Sequence, residues 1–265
     1  MPALTARTAL ITGASTGIGY ELSNLFATDG CNLVLVARHE QRLQTLAEEL
    51  RQKHGVSVVC IAKDLSREPA VREVFDELQH KGIVIDFLVN NAGYGAYGKF
   101  AETDLRTEME MVTVNALALT NLTKLFLHGM LQRNYGRILN VGSTASFQPG
   151  PLMAVYAATK AYVLSFSEAL SHELQGTNVT ASVLCPGPTR TEFQKRAVMD
   201  ESKLFRRFVM DAPSVAVAGY RGMMKGKRLI IPGAYNKFLI FTVRLSPRQF
   251  VLKVVRNMLE KRKPQ

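Results

Sequence analysis

Tyr156 and Lys160 stand four residues apart in a segment, 154–175, whose apolar residues recur at helical spacing, so the two side chains share one face. A free phenol, with a pKa of about 10, is a poor base at neutral pH. A neighbouring ammonium favours the phenolate and turns the pair into a device for passing a proton. With 8 Tyr in the chain, about 0.4 such spacings are expected by chance, so the pair carries weight only through its setting. Thirteen residues earlier, Ser143 follows an apolar run in Asn140-Val141-Gly142-Ser143-Thr144-Ala145-Ser146. A hydroxyl at the C-terminal end of a strand lies where an open α/β sheet holds its ligands.

A second group of residues points to a phosphate. Thr12-Gly13-Ala14-Ser15-Thr16-Gly17-Ile18-Gly19 directly follows the first apolar run and opens a helical segment. Glycine lets the backbone turn sharply and approach a pyrophosphate, and the helix start offers free N–H groups and the positive end of its dipole. Gly13, Ser15, Thr16, Gly17, Ile18 and Gly19 are therefore candidate cofactor contacts. The second apolar run ends Val36-Ala37-Arg38-His39, with no acid before Glu40. A carboxylate there would hold a ribose 2′-hydroxyl. Arg38 instead offers a planar fork to a 2′-phosphate, which makes NADP(H) the expected cofactor.

These groups must be positioned by the elements around them. Short Val/Ile/Leu-rich runs at 8–12, 32–37, 56–62, 83–90, 137–141, 179–184 and 228–231 show little alternation, as strands covered on both faces do. Helical segments are expected near 18–29, 39–53, 67–80, 103–134, 154–175 and 214–225. This rhythm predicts an α/β fold of the Rossmann type: a doubly wound, mainly parallel seven-stranded sheet with helices on both faces. No linker or repeat divides the 265 residues, so 1–233 are expected to form one dinucleotide-binding catalytic domain, with 234–265 as its C-terminal extension.

With its motifs in this order the chain resembles the short-chain dehydrogenases/reductases, in the single-domain branch with T-G-x-x-x-G-x-G and Y-x-x-x-K. The resemblance covers residues 6–233. It includes Asp64 after the third strand, Asn90-Asn91-Ala92-Gly93 after the fourth, Asn115 in the long helix, Ser143, and Pro186-Gly187-Pro188-Thr189-Arg190-Thr191 after the sixth. It implies an enzyme that moves hydride between NADP(H) and a C=O or CH–OH group. Tyr156 would be the acid/base, Lys160 would lower its pKa and hold the nicotinamide ribose, and Ser143 would bind the substrate oxygen. Asn115 would support a proton-relaying water. Asp64 and Leu65 would contact the adenine side, Asn91, Ala92 and Gly93 the body of the cofactor, and Pro186, Gly187 and Thr189 the nicotinamide end. No metal is implied.

Residues 186–213 read as a cover over the substrate. Its Phe and Met residues (Phe193, Met199, Phe205, Phe208, Met210), with 149–153 opposite, fit a lipophilic substrate or simply close the core. Lys195/Arg196 and Arg206/Arg207 could meet an acyl-carrier anion or stay solvated. The leading expectation is a carbonyl reductase. The alternatives are a 3-oxoacyl thioester reductase of lipid synthesis and a non-catalytic NADP(H)-sensing scaffold, the latter disfavoured by the complete Asn115/Ser143/Tyr156/Lys160 set.

Charge sets the tail apart. Residues 1–220 hold 21 Lys+Arg and 21 Asp+Glu, whereas 221–265 hold 12 Lys+Arg and the single acid Glu260, so the net +11 resides at the C-terminus. A neutral body with a basic tail argues against nucleic acid and for a local surface contact. The apolar Phe238-Leu239-Ile240-Phe241 is too short to span a bilayer. After Ser246-Pro247, Phe250, Val251, Val254, Val255, Met258 and Leu259 follow helical spacing with Lys253, Arg256, Lys261, Arg262 and Lys263 largely between them. Such a helix packs on its own body or on a second subunit, or it lies on an anionic membrane through residues 236–263. The N-terminus lacks the basic and apolar regions of a secretion signal. Three dispersed cysteines, Cys31, Cys60 and Cys185, read as reduced core residues. The expected setting is cytoplasmic, with membrane association open, and a homo-oligomer.

Overall fold

The computed structural model describes residues 7–192 and 209–260. Seven strands, β1 (Thr8–Thr12), β2 (Asn32–Ala37), β3 (Val58–Ala62), β4 (Phe87–Asn90), β5 (Gly136–Val141), β6 (Val179–Leu184) and β9 (Leu229–Ile230), form one sheet in the order β3-β2-β1-β4-β5-β6-β9. Every pairing within it is parallel. A separate short parallel ladder joins β7 (Thr189–Arg190) to β8 (Met210–Asp211). The helices are α1 (Gly17–Thr28), α2 (Glu40–His54), α3 (Ala70–His80), α4 (Leu105–Val112), α5 (Leu119–Gln132), α6 (Ala154–Glu173), α7 (Ala212–Met224), α8 (Ala234–Leu245) and α9 (Arg248–Leu259).

The continuous apolar runs have a simple cause. Successive strand residues point to opposite faces, and both faces are covered. Ala9, Ile11, Leu33 and Leu35 join a core with Leu22 and Phe26 of α1, Leu43 of α2 and Val215 of α7. Leu10, Val34, Val36 and Leu88 point the other way, into a core with Val74 of α3, Phe126 of α5 and Leu170 of α6. Each fully buried Leu or Phe contributes about 1.5–3 kcal/mol relative to exposure.

Some expected boundaries move. The third strand begins at Val58, not 56, because Gly55 turns out of α2 in the left-handed region. The fourth begins at Phe87, not 83, because the Ile83 N–H donates back to the Leu78 carbonyl at 2.9 Å and closes α3. The single helix expected over 103–134 is divided by a π-helical turn, Thr113–Ala118, between α4 and α5. Such turns commonly mark functional sites, and this one carries Asn115. Phe238–Phe241 lie within α8.

Candidate active site

A cleft runs across the C-terminal ends of β1, β4, β5 and β6, at the point where strand order reverses between β1 and β4. Every catalytic and cofactor-contact candidate named from the sequence lines it except Gly19 and Asn115, which support it from behind, whereas Met210 of the expected cover packs against the core shared by α1, α2 and α7 instead.

At the phosphate end, Thr12 and Asn91 tie β1 to β4. The Thr12 hydroxyl accepts from the N–H groups of Asn91 (3.0 Å) and Ala92 (2.9 Å), and the Asn91 amide donates to the carbonyls of Thr12 (2.9 Å) and Gly13 (3.1 Å). Gly13 sits at φ +63°, and a Cβ there would lie 2.9 Å from the Asn91 amide nitrogen. Gly19 is tighter, since its Cβ would fall 2.3 Å from the Gly13 carbonyl oxygen. Gly19 thus sets how closely the loop folds on α1 without itself facing the cleft. A Gly19→Ala variant is expected to lose roughly 1–3 kcal/mol of stability and to bind the dinucleotide more weakly, measurable by urea unfolding and cofactor titration.

The first turn of α1 has no side-chain cap at Thr16 and lines the cleft, leaving its N–H groups available to an anion. Arg38, at the end of β2, lines the same end. Asp64 turns back on its own loop, accepting from the Ser66 N–H (3.0 Å) and hydroxyl (2.8 Å). The tight glycine loop, uncapped helix start and terminal arginine fit a nicotinamide dinucleotide.

At the other end, Ser143 caps the short 3₁₀ turn Thr144–Phe147, its hydroxyl accepting from the Ala145 N–H at 3.1 Å. Ser146 donates to the Lys160 carbonyl at 2.7 Å, locking this turn to α6. The buried chain Asn90–Asn140–Ser167 ties β4, β5 and α6 together through hydrogen bonds of 2.9 Å. These buried bonds hold the three elements in one arrangement, although the Asn90 Oδ1 itself finds no partner among the described residues. Tyr156 is hydrogen-bonded to Ser143. Lys160 Nζ donates to the Val141 carbonyl at 2.8 Å and lies 5.9 Å from the Tyr156 ring centroid. Asn115 donates to the Tyr94 carbonyl (2.9 Å) and the Thr159 hydroxyl (3.1 Å) and accepts from the Tyr94 N–H (3.1 Å). Its side chain is a clamp between the π turn, the Gly93–Tyr94 loop and α6.

Burial dominates the electrostatics of this pair. In the protein without cofactor, burial pushes the Tyr156 phenol up to about 12, and the Ser143 hydrogen bond draws it only part of the way back. Burial also lowers Lys160, to about 8, which leaves it mostly protonated at neutral pH beside the phenol. The neighbouring Cys185 thiol, also buried, is pushed up to about 12 and stays a neutral packing group. Tyr156 is therefore a fully protonated acid at neutral pH, suited to giving a proton to an oxygen.

Sequence reasoning missed the outer wall. Val255, Met258 and Leu259 of α9 line the cleft. Leu259 is buried with Met153 against Tyr97, Leu152 and Tyr156, and the Tyr97 hydroxyl donates to the Leu259 carbonyl at 2.8 Å. The periodic stripe in α9 was the available signal; its destination was not legible. On the facing side, Gly150 and Met153 from the expected 149–153 segment line the cleft. The expected cover residues Phe193, Lys195, Arg196, Met199, Phe205, Arg206, Arg207 and Phe208 lie outside the described residues. Among the described residues no cluster of Cys, His, Asp or Glu could hold a metal.

Fold and site together describe a Rossmann-type domain in which a serine, a tyrosine and a lysine converge at one end of a dinucleotide-sized cleft. The model of the short chain dehydrogenase family matches residues 7–202, and the chain belongs to that family. It is 37% identical over 180 residues to a very-long-chain 3-oxoacyl-CoA reductase of Laccaria bicolor, covering 66% of this chain and 53% of that protein. The chain thus spans about half the length of that relative. Among solved structures, a short-chain dehydrogenase from Sphingobium yanoikuyae in complex with NADPH is 34% identical with a TM-score of 0.81, over 90% of this chain and 94% of that one. A short-chain dehydrogenase/reductase from Burkholderia phymatum in complex with NAD is 26% identical with a TM-score of 0.81, over the full length of both chains.

Proposed function

We propose that this protein reduces the carbonyl group of a lipophilic substrate with NADPH. The observation that carries the proposal is one continuous cleft. Arg38 and the glycine loop stand at one end, Ser143, Tyr156 and Lys160 at the other, and the apolar side chains of Met153, Val255, Met258 and Leu259 wall the cleft. When bound, the nicotinamide supplies hydride to the carbonyl carbon. Ser143 donates a hydrogen bond to the substrate oxygen, where charge develops, and Tyr156 gives that oxygen its proton, leaving an alcohol. Lys160 stabilises the resulting phenolate by its charge, and Asn115 holds the Gly93–Tyr94 loop against α6. Tyr156 acts as the acid in reduction and, as the phenolate, as the base in the reverse oxidation.

The experiment is NADPH oxidation, with NADH in parallel, against long-chain aldehydes, bulky ketones and 3-oxoacyl thioesters. Turnover confined to small polar carbonyls would remove the lipophilic assignment, and absence of any turnover would favour a nucleotide-binding scaffold. A 3-oxoacyl thioester is the second reading, favoured by the similarity to the Laccaria bicolor reductase. The preference for NADPH rests on Arg38. Arg38→Asp is expected to shift the NADPH/NADH ratio of kcat/KM toward NADH by about 10²-fold or more, the loss of one charge-assisted pair plus added repulsion. An unchanged ratio would remove that role.

A homo-oligomer is proposed through α4–α6, where Leu105, Met109 and Leu117 are exposed at multiples of four and Tyr162 stacks on Phe166 beside them. Sedimentation velocity tests it, and a monomer at micromolar concentration would count against it.

A further inference from the structure

Helix α9 has two apolar faces. Val251, Val255, Met258 and Leu259 turn inward, with the last three in the substrate cleft. Phe250 and Val254 turn outward, at 59% and 40% exposure. α8 adds Phe238 (62%), Phe241 (59%) and Leu245 (72%), spaced i, i+3, i+7 and so on one face. Both helices border the groove formed by residues 146–161, which Val243, Val251 and Leu252 line. Their exposed sides therefore look away from the body. Lys237, Arg244, Arg248 and Lys253 are interleaved with these apolar residues, and all four are exposed. None of them is in an ion pair among the described residues. The one acid of the region, Glu260, is paired with Arg256 at 3.1 Å.

We infer that the outer face of α8 and α9 is a docking surface for an anionic phospholipid bilayer, which sets the substrate cleft against the source of a lipid-borne substrate. Large apolar side chains ringed by cations match an interface with an apolar interior and an anionic surface. A second copy docked by the same face would set Lys237, Arg244, Arg248 and Lys253 against their equivalents with no free acid to oppose them, which disfavours self-association there. No helix among the described residues is long and apolar enough to cross a membrane, so the contact is peripheral. α9 joins the two functions. Its inner residues close the cleft, its outer residues enter the lipid headgroup region, and a lipophilic carbonyl dissolved in the bilayer has a short path to Tyr156. This second part rests on the reductase reading; docking does not.

The test is co-sedimentation of the full chain with phosphatidylcholine vesicles containing roughly a third phosphatidylglycerol, against pure phosphatidylcholine. The wild type is expected to partition about tenfold or more in favour of the anionic vesicles, with the preference reduced by high salt. F241D/F250D is expected to lose binding to both, and K237E/R244E/K253E to lose the anionic preference. All the substituted side chains lie on the outer face, so reduction of a water-soluble ketone should be unchanged in both variants, which also shows that they fold. Turnover of a vesicle-dissolved long-chain ketone should fall about tenfold in the first variant relative to the wild type. Equal sedimentation of wild type and F241D/F250D overturns docking, as does a dimer that the same substitutions dissociate. Vesicle binding without turnover of any carbonyl leaves docking standing and removes the reductase reading.

Discussion

Replacing Tyr156 by Phe is expected to lower the rate of carbonyl reduction by about 10³-fold while leaving NADPH binding and the circular dichroism spectrum nearly unchanged. The substitution removes one oxygen and keeps the ring, which packs beside Met153 and Leu259. What disappears is the only phenolic O–H hydrogen-bonded to Ser143 among the described residues. The raised pKa sharpens the expectation. At pH 7 essentially every wild-type molecule carries this proton, so the whole population, not a minor fraction, loses its acid. Ser143 still polarises the substrate oxygen in the variant, which accounts for a small residual rate. Stopped-flow measurement of NADPH oxidation separates the chemical step from binding. Residual reduction within tenfold of the wild type would mean that a solvent proton or another group does the work assigned to Tyr156.

The elements of the fold were legible because parallel strands buried on both faces have to be continuous apolar runs, and this chain places one such run at each strand of the sheet. The ligand end was legible for the same reason: glycine, asparagine, serine and proline cluster where the strands end. The π turn at Thr113–Ala118 was not. Its residues satisfy an ordinary helical pattern, and the extra residue is absorbed only because Asn115 finds Tyr94 and Thr159 across the interface. The tail was half legible. Residues 250, 251, 254, 255, 258 and 259 form one stripe by spacing, yet the stripe is wide enough to be split between the cleft and the outside. Packing on the body and meeting an outside surface, posed from the sequence as alternatives, are compatible on one helix. Burial escapes spacing altogether. A spacing of four from Tyr156 to Lys160 places them on one face, but does not tell how deep that face lies or that the Val141 carbonyl takes the lysine's hydrogen bond.

Lys160→Met is expected to lower turnover by about 10²-fold or more, since the phenolate left after proton transfer loses its nearest cation, and to change the pH dependence of stability in a direction the lysine's burial dictates. Without cofactor, Lys160 has a folded-state pKa lowered to about 8 from an ordinary 10.5. Between those two values the unfolded chain holds the proton more often than the folded one, so raising the pH through this window favours folding. Below about pH 8 both states are protonated and the full cost of burying the ammonium is present. Methionine has no such cost at any pH. The difference in unfolding free energy, wild type minus variant, should therefore move in favour of the wild type by about 2–3 kcal/mol between pH 7 and pH 10. Taking the difference cancels the opposite contributions of the raised Tyr156 and Cys185, which favour folding less as the pH climbs through 9 to 12. Urea unfolding of both proteins, without cofactor, at the two pH values measures it. A pH-independent difference would mean that Lys160 keeps its ordinary pKa in the folded protein.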